Sequence, residues 1–444
     1  MNEGLLLVVL LAAASAPGVP APAAPETSAL TVRDAVARAL SNAPEIAVAV
    51  AGSDEAGATR NLAASDRKPQ FSINTTPGWS TGVPLSVAGE VPAAAGARVR
   101  LTLYNPFEQG EELQAVARVA AAEGTLAAAR AAVARRTAGA CAKLSSDEAR
   151  VSSARRRLTA EEAIARRERA LAREGRRTDL DVGLAELEEA RARQKLYSAE
   201  SDLDLDRHEL ASLIGLPAGS RLTIRDDPEA AVPEPEPADA VALALTRDHR
   251  LQALAQQADA LAQSAKLMTR LFKPSVVAEA RYAFVPEAFG YDKYYLNFQE
   301  NVASIGVSVV LPVLTGGRDA AQAAQSRARL DQVEAERRLR ESELAQLVRE
   351  AEARLARARL DAGIAKRAMA LAGEALSQAE SFQREGRGEA DGVDRAELAL
   401  SDTEDDLSRA RRDQIEARLS LLEFEGELLS ALGAESTTTA RPNP

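Results

Sequence analysis

The sequence predicts a mainly α-helical protein with a small β part, and three features support this fold class. Ala, Leu, Arg and Glu dominate the 444 residues, and only 3% are aromatic, a composition typical of long helices and coiled coils. Residues 110–173 and 317–384 contain no proline and keep a heptad-like apolar spacing. Before each of them come short stretches in which apolar and polar residues alternate, the period of a strand. We therefore expect two long helices, each entered from a pair of strands.

The sequence also contains an internal duplication. DAVARALSNAPEIAV, from Asp34, matches DAVALALTRDHRLQA, from Asp239, and REGRRTDLDVGLAE, from Arg173, matches REGRGEADGVDRAE, from Arg384. Because the offset between the copies stays nearly constant over a whole half, the pattern indicates two tandem repeats of one unit.

Each repeat is expected to run through a helix, two strands, a long helix, a tip and a return helix. The first repeat, 27–216, has predicted strands at 70–76 and 97–105, a long helix at 110–173, a tip at 174–180 and a return helix at 181–215. The second, 239–429, has them at 275–285, 302–311, 317–384, 385–392 and 393–429. Outside the repeats we expect a signal peptide and Pro/Ala linker at 1–26, an inter-repeat linker at 217–238 and a disordered tail at 430–444.

Each long helix would measure about 100 Å, at about 1.5 Å per residue. Such a rod cannot bury its apolar stripe alone, so it must pair with its return helix and with copies of itself. The strand-to-helix transitions are predicted at Pro106 and Gly110 in the first repeat and at Pro312 and Gly316 in the second.

The four strands have two interpretations. They can form ordinary soluble ribbons with a small aromatic core under a loop, or they can cross a membrane. Aromatic residues near the strand ends favour the membrane, where barrels carry an interfacial girdle; the candidates are Trp79, Tyr282, Phe284, Tyr294 and Tyr295. Four strands cannot close a barrel, so a spanning unit must pool strands from several chains. Two copies would give eight strands and three would give twelve.

Composition argues against several function classes. A formal net charge of -11 disfavours a nucleic-acid partner. One cysteine and two histidines leave no metal cluster and no nucleophile–base pair, so we expect neither a metal, nor a cofactor, nor an enzyme. Three copies of such an acidic chain would make an acidic lumen that favours cations.

The order and duplication of these motifs resemble the TolC-like outer-membrane factors of bacterial efflux and type I secretion. The resemblance rests on LTVRDAVARALSNAPEI, on the proline before each first strand, on NPFEQG and LPVLTGG at the strand-to-helix passages and on the duplicated tip. It implies a homotrimer in which twelve strands form one barrel in the outer membrane and the long helices form a periplasmic α-barrel. It further implies passive conduction from an inner-membrane pump through a periplasmic adaptor docked at the tips.

The resemblance also implies roles for the tip residues. Adaptor docking would involve Glu174, Gly175, Arg176, Arg177, Glu385, Gly386 and Arg387. The pore constriction would involve Asp181, Asp391 and Asp394. The second tip departs from the family, since Gly392 and Arg395 stand where the family has aspartates. From the residues alone, these charges also suit a plain solvated turn in which Thr178 or Asp179 caps the return helix.

An alternative hypothesis retains the same helices but places the chain outside the membrane. In it the chain is a soluble periplasmic coiled-coil scaffold or adaptor, with the strand hairpins packed as a small domain.

Overall fold

The computed structural model describes residues 27–75, 95–217, 220–235, 239–270, 273–284, 299–313, 315–387 and 391–434. The signal peptide and linker expected at 1–26 and residues 435–444 of the expected tail lie outside these ranges, as do Trp79, Tyr294 and Tyr295. Helices make up most of the described chain and the strands are few and short. The mainly α-helical class with a small β part is therefore confirmed.

The elements follow one order in both halves. The first half contains β1 (Thr27–Leu30), α1 (Val32–Asn42), α2 (Pro44–Ser65), β2 (Gln70–Asn74), β3 (Ala95–Tyr104), α3 (Pro106–Arg173) and α4 (Asp179–Leu213). β4 (Arg221–Ile224) and α5 (Pro228–Ala231) then lead to α6 (Ala240–Arg247), α7 (His249–Met268), β5 (Ser275–Phe284), β6 (Asn301–Val310), α8 (Arg318–Arg384), α9 (Gly392–Phe424) and α10 (Leu428–Ala431). Two helices, two strands, a long helix and a return helix thus occur in turn from α1 to α4 and from α6 to α9.

The helix that precedes each strand pair is divided in two, a break the sequence analysis did not anticipate. Pro44 forces Ala43 into an extended conformation (φ -64°, ψ 125°), which ends α1 and starts α2. The second half has no proline at this point. Asp248 is extended there instead, and its carboxylate accepts a hydrogen bond from the Leu251 N–H at 2.7 Å, which caps α7.

Single long helices alternate across the molecule with pairs of shorter helices that lie end to end. α3 carries α2 and α4 on one side, α2 beside the part near the sheet and α4 beside the rest. α7 and α9 are stacked in the same way between α3 and α8. The order across the row is therefore α2/α4, α3, α7/α9, α8. We call each end-to-end pair of shorter helices, α2/α4 and α7/α9, a divided pair; one divided pair lies at one edge of the row and the long helix α8 lies at the other.

The larger sheet has the same order as the helices that adjoin it. Its strands run β2-β3-β5-β6, all antiparallel, and these strands continue α2, α3, α7 and α8 respectively. The sheet and the helical row are therefore one continuous wall. None of the helices in the described ranges is both long and apolar enough to cross a lipid bilayer.

The main core lies midway along the helices. It joins α1, α3, α4, α9 and α10 around side chains that are fully buried, among them Leu144, Leu210, Leu222 and Leu422. A two-stranded parallel sheet of β1 and β4 covers it.

Two segments that the sequence analysis placed outside the repeats contribute to this core. The stretch 217–238, expected as a linker, contains β4 and α5, because Leu222 alternates with polar neighbours and pairs with β1. The stretch from 430, expected as a disordered tail, is packed as far as Ala434. Leu428 and Leu432 are one helical turn apart and both are buried.

Candidate functional site

The two tips end α3 and α8 with the same backbone geometry. Gly175 (φ +75°) and Gly386 (φ +72°) are left-handed, as a residue after a helix end often is. At the first tip the Arg176 N–H donates to the Leu171 carbonyl at 2.9 Å, and at the second the Arg387 N–H donates to the Phe382 carbonyl at 2.9 Å. A Cβ built on either glycine would touch nothing within 4 Å. Glycine is therefore needed for its backbone freedom rather than for space.

The first return helix begins with a capping box. The Asp181 N–H donates to the Thr178 hydroxyl at 3.2 Å, and the Thr178 N–H donates to the Asp181 carboxylate at 2.8 Å. These hydrogen bonds from the Thr178 N–H and hydroxyl lower the pKa of Asp181. Asp181, suggested as a constriction residue, therefore has a local structural task as the third residue of α4.

The acids of the second tip are each paired with an arginine. Asp391 lies 3.2 Å from Arg395 on its own helix. Its own backbone N–H and the charges of Arg395 and Arg167 lower the pKa of Asp391. Asp394 is buried, and its carboxylate lies 2.5 Å from the Arg167 guanidinium of α3. Asp394 thus ties the second tip to the first helical hairpin, a contact that no spacing in the sequence suggested.

The remaining charged residues of the tips are solvated or locally paired. Arg176 lies 3.5 Å from Glu174, and Arg387 lies 3.4 Å from Glu385. Arg177 turns back to Glu168, at 3.0 Å. Beside them, Leu180, Leu184 and Leu187 share one face of α4 at helical spacing and are exposed. The tips therefore offer an apolar strip flanked by paired charges.

The strand-to-helix transitions of the two halves differ. Pro106 is the first residue of α3, and Gly110 lies one turn into it, where a Cβ would come 2.3 Å from the Met268 side chain of α7. Pro312 and Gly316 precede α8 in a turn, in which Gly316 is left-handed (φ +58°). The first glycine allows close helix packing and the second allows a turn, although the sequence aligns them.

The larger sheet has one apolar face and one mostly polar face. Cross-strand register places the following residues on the apolar face: Phe71 and Ile73 of β2, Ala97, Val99 and Leu101 of β3, Ala278, Ala280 and Tyr282 of β5, and Ala303, Ile305 and Val307 of β6. Among the described residues none covers it: Ile305 is 89% exposed, Ile73 75% and Phe71 65%. Every residue of β6 is exposed, on both faces.

The described aromatic candidates lie where that face nears its end away from the helices. Tyr282 and Phe284 alternate onto the apolar face in the last three residues of β5, and the Tyr282 hydroxyl donates to the Asn301 side chain at 2.5 Å. The position suits an interfacial aromatic girdle.

Apolar side chains are also exposed along both edges of the helical row. On α8, Leu339, Leu360, Ile364 and Leu371 are exposed and recur at multiples of seven or four residues. On the opposite edge, Val48 and Leu62 of α2 and Tyr197 and Leu205 of α4 are exposed.

Residues 35–216 match the family model described as outer membrane efflux protein. This part of the chain is similar to the outer membrane efflux proteins. The resemblance to that family seen in the sequence is thereby confirmed. No curated protein sequence matches the chain.

Solved outer-membrane channels share the fold over nearly the whole chain. The outer membrane protein VceC from Vibrio cholerae is 19% identical, with a TM-score of 0.70 over 89% of this chain and 96% of that one. The CmeC outer membrane channel of Campylobacter jejuni is 12% identical, with a TM-score of 0.70 over 89% and 85%. The open state of the MtrE outer membrane channel of Neisseria gonorrhoeae is 18% identical, with a TM-score of 0.67 over 89% of each chain. CmeC and MtrE are both described as outer membrane channels.

A carboxyl pair between α3 and α4 also escaped the sequence analysis. Burial, the neighbouring Asp147 carboxyl and, against them, the Lys143 ammonium at 2.6 Å set the pKa of Asp206 at about 6. The partners lie on different helices, so only the register between the helices reveals the pair.

Proposed function

We propose that three copies of this chain form a channel through the outer membrane, with the helices in the periplasm. The observation that carries the proposal is the sheet. In the part of the chain that the structure describes, its apolar face is uncovered and its edge strands β2 and β6 have no partner on one side. In lipid every backbone group needs a partner, so an open sheet can lie there only if copies close it. Three chains would supply twelve strands.

Strand dimensions support this setting. β3, β5 and β6 each have ten residues, and a tilted strand needs about 9–11 to cross the hydrocarbon layer. With the apolar face outward to lipid, the polar face would line a lumen. The aromatic pair Tyr282 and Phe284 would then lie at the membrane interface far from the helices.

The helical row supports closure by copies. Its edges are the divided pair α2/α4 and the long helix α8. Placing the α8 of one copy against the α2/α4 of the next continues the alternation of long and divided helices without a break. It also covers the apolar side chains exposed on both edges, including Leu360, Ile364 and Tyr197. The result would be a closed α-barrel below the β-barrel.

The unit of this architecture would be a tandem repeat. Residues 27–216 and 239–429 would each supply two strands and one long helical hairpin to the wall. Their common element order and the identical glycine turns at Gly175 and Gly386 support this division.

The channel would be a passive conduit in an efflux or type I secretion system. An inner-membrane pump would supply the energy, and a periplasmic adaptor would dock at the tips formed by 174–180 and 385–392. The exposed apolar strip of Leu180, Leu184 and Leu187 is a surface onto which an adaptor helix could pack. Cargo of the kinds such systems carry, a drug, a metal ion or a polypeptide, would be selected by the pump.

Cell fractionation tests the proposal. The natural chain should be recovered in the outer membrane and migrate in gels as a trimer that dissociates on heating. Recovery as a soluble periplasmic protein would contradict the channel and support a coiled-coil scaffold.

A further inference from the structure

The charges of the larger sheet are concentrated at one place. In the described strands of this sheet the charged side chains are Arg98 and Arg100 on β3 and Glu279 and Arg281 on β5. All four alternate onto the polar face, opposite the apolar one. We name these four residues the arginine belt.

Cross-strand register brings the belt into one cluster. Arg98 lies directly opposite Arg281, and Arg100 lies opposite Glu279. The Glu279 carboxylate accepts a hydrogen bond from Arg281 at 2.9 Å and lies 3.4 Å from the Arg98 Nε. One carboxylate therefore lies among three guanidiniums, and the cluster keeps a net charge of +2.

This arrangement costs stability within the sheet. Like charges directly opposite each other on antiparallel strands repel, and Glu279 offsets only part of that repulsion. The side chains of Arg98, Glu279 and Arg281 remain between 35% and 39% exposed, so the cluster faces open space rather than a packed core. Its neighbours on the same face, Ser72 of β2 and Ser304 of β6, are uncharged. The cluster is thus a local basic patch on a chain whose formal net charge is -11.

We propose that the arginine belt is an anion-recognition ring in the lumen of the β-barrel. The inference rests on the proposed function, because only closure by three copies turns the patch into a ring. Nine guanidiniums and three carboxylates would then lie within about 7 Å along the strands, at about 3.3 Å per residue. Rings of arginine favour anions, and the guanidinium fork suits carboxylate and phosphate groups in particular.

The ring reverses, at this level, the cation preference expected from the net charge of the chain. A solute that leaves the acidic lumen of the α-barrel would meet the arginine belt before it reaches the exterior. The belt would therefore favour solutes that carry carboxylate or phosphate groups and slow the exit of compact cations.

Conductance of the purified full-length protein in planar bilayers tests the ring. Pyrophosphate added on the side of the strands reaches the belt without passing the tips, and we expect it to block the natural channel. Block by pyrophosphate should weaken at least about tenfold in the triple variant Arg98→Gln, Arg100→Gln, Arg281→Gln, since all nine guanidiniums of the ring are lost. Pyrophosphate added on the side of the helices should block less.

Two further variants sharpen the test. Glu279→Gln should strengthen the block and move the reversal potential in a KCl gradient towards chloride, the opposite of the triple variant. Ser304→Gln adds bulk to the same face without charge and should change neither. Trimers that conduct but show the same pyrophosphate block and reversal potential in all variants would overturn the ring. Failure of the natural chain to form trimers or to conduct would overturn the proposed channel itself.

Discussion

The glycine turn at the first tip depends on one left-handed residue. Gly175 has open space around it, so an added methyl group meets no atom and acts only through the backbone. Gly183, one turn into α4, also has open space but lies in ordinary helical backbone. The two glycines therefore separate backbone handedness from packing.

We expect Gly175→Ala to loosen the tip and Gly183→Ala to tighten it. Alanine in left-handed backbone costs about 1–2 kcal/mol, whereas alanine for glycine inside a helix gains about 0.5–1 kcal/mol. Hydrogen exchange of the tip amides should accelerate roughly fivefold or more in Gly175→Ala and slow in Gly183→Ala. Equal exchange rates in both variants would contradict the assigned turn.

A second residue-scale effect concerns pH. The pKa of Asp206 is raised to about 6, above the ordinary aspartate value of 3.8, by burial and by Asp147 against the pull of Lys143. The folded chain therefore binds this proton more tightly than the unfolded chain does. The resulting contribution to stability is fully present below about pH 4 and is lost as the pH rises through 6.

Thermal unfolding at pH 5 and pH 7.5 checks this linkage. The natural protein should lose more stability over this interval than Asp206→Asn, which cannot titrate at that position. Asp204→Asn is a matched control, because its side chain is exposed on the same helix. It should follow the natural protein. If the natural protein and Asp206→Asn show parallel pH dependence, the raised pKa is wrong.

Some of these features depend on residues that are neighbours in the sequence, and others depend on contacts between residues that are far apart along the chain. The sequence located Gly175 and Gly386 as turn glycines, because a glycine between two helical stretches is a local signal. It could not locate the Arg167–Asp394 pair, whose members are far apart along the chain. It predicted the alternating strand at 97–105 that carries Arg98 and Arg100, but the position of these two residues beside Arg281 depends on strand order.

At the scale of elements, an ion pair between α9 and α3 joins the second tip to the first helical hairpin. Asp394 of α9 binds Arg167 of α3 and is buried between the hairpins. Asp391 pairs with Arg395 within one hairpin. Of these two ion pairs, only Asp394–Arg167 joins the two hairpins. It is therefore the better candidate for restricting the opening of the proposed channel at the tips.

We expect Asp394→Asn to raise the resting conductance of the channel in bilayers. Without the carboxylate charge the Arg167 link weakens, and α9 can move away from α3. Asp391→Asn removes the same charge from the same turn but leaves the ion pair between Asp394 and Arg167 in place. It should leave conductance near the natural value. Similar increases in both variants would show that tip charge, rather than the link, controls the opening.

Element boundaries also show what sequence patterns can reach. The long helices and strand pairs were readable because their periods are long and uninterrupted. The division of α6 from α7 was not readable, because Asp248 caps a helix without any proline or glycine nearby. The β1–β4 sheet was missed because strands of four residues carry too little alternation to stand out.

At the scale of the whole molecule, the sheet and the helical row share one order and are open at the same two edges. Within the described ranges, a single chain thus leaves β2 and β6 without outer partners and leaves apolar side chains exposed on α4 and α8. The two edges do not determine the number of copies, since a barrel can close with eight strands or with twelve. The proposed number of three comes from the family that the chain resembles.

Cysteine cross-linking between the two sheet edges tests the central claim most directly. Ser72→Cys on β2 is combined with Ser304→Cys or Ser308→Cys on β6, all on the polar face, in a Cys141→Ser background. The matched control pairs Ser72→Cys with Ala283→Cys on the central strand β5. Closure by three copies predicts that oxidation of outer membranes gives covalent dimers and trimers with at least one edge pair and none with the control. Monomers alone from every edge pair, in protein that reaches the outer membrane, would contradict the shared barrel.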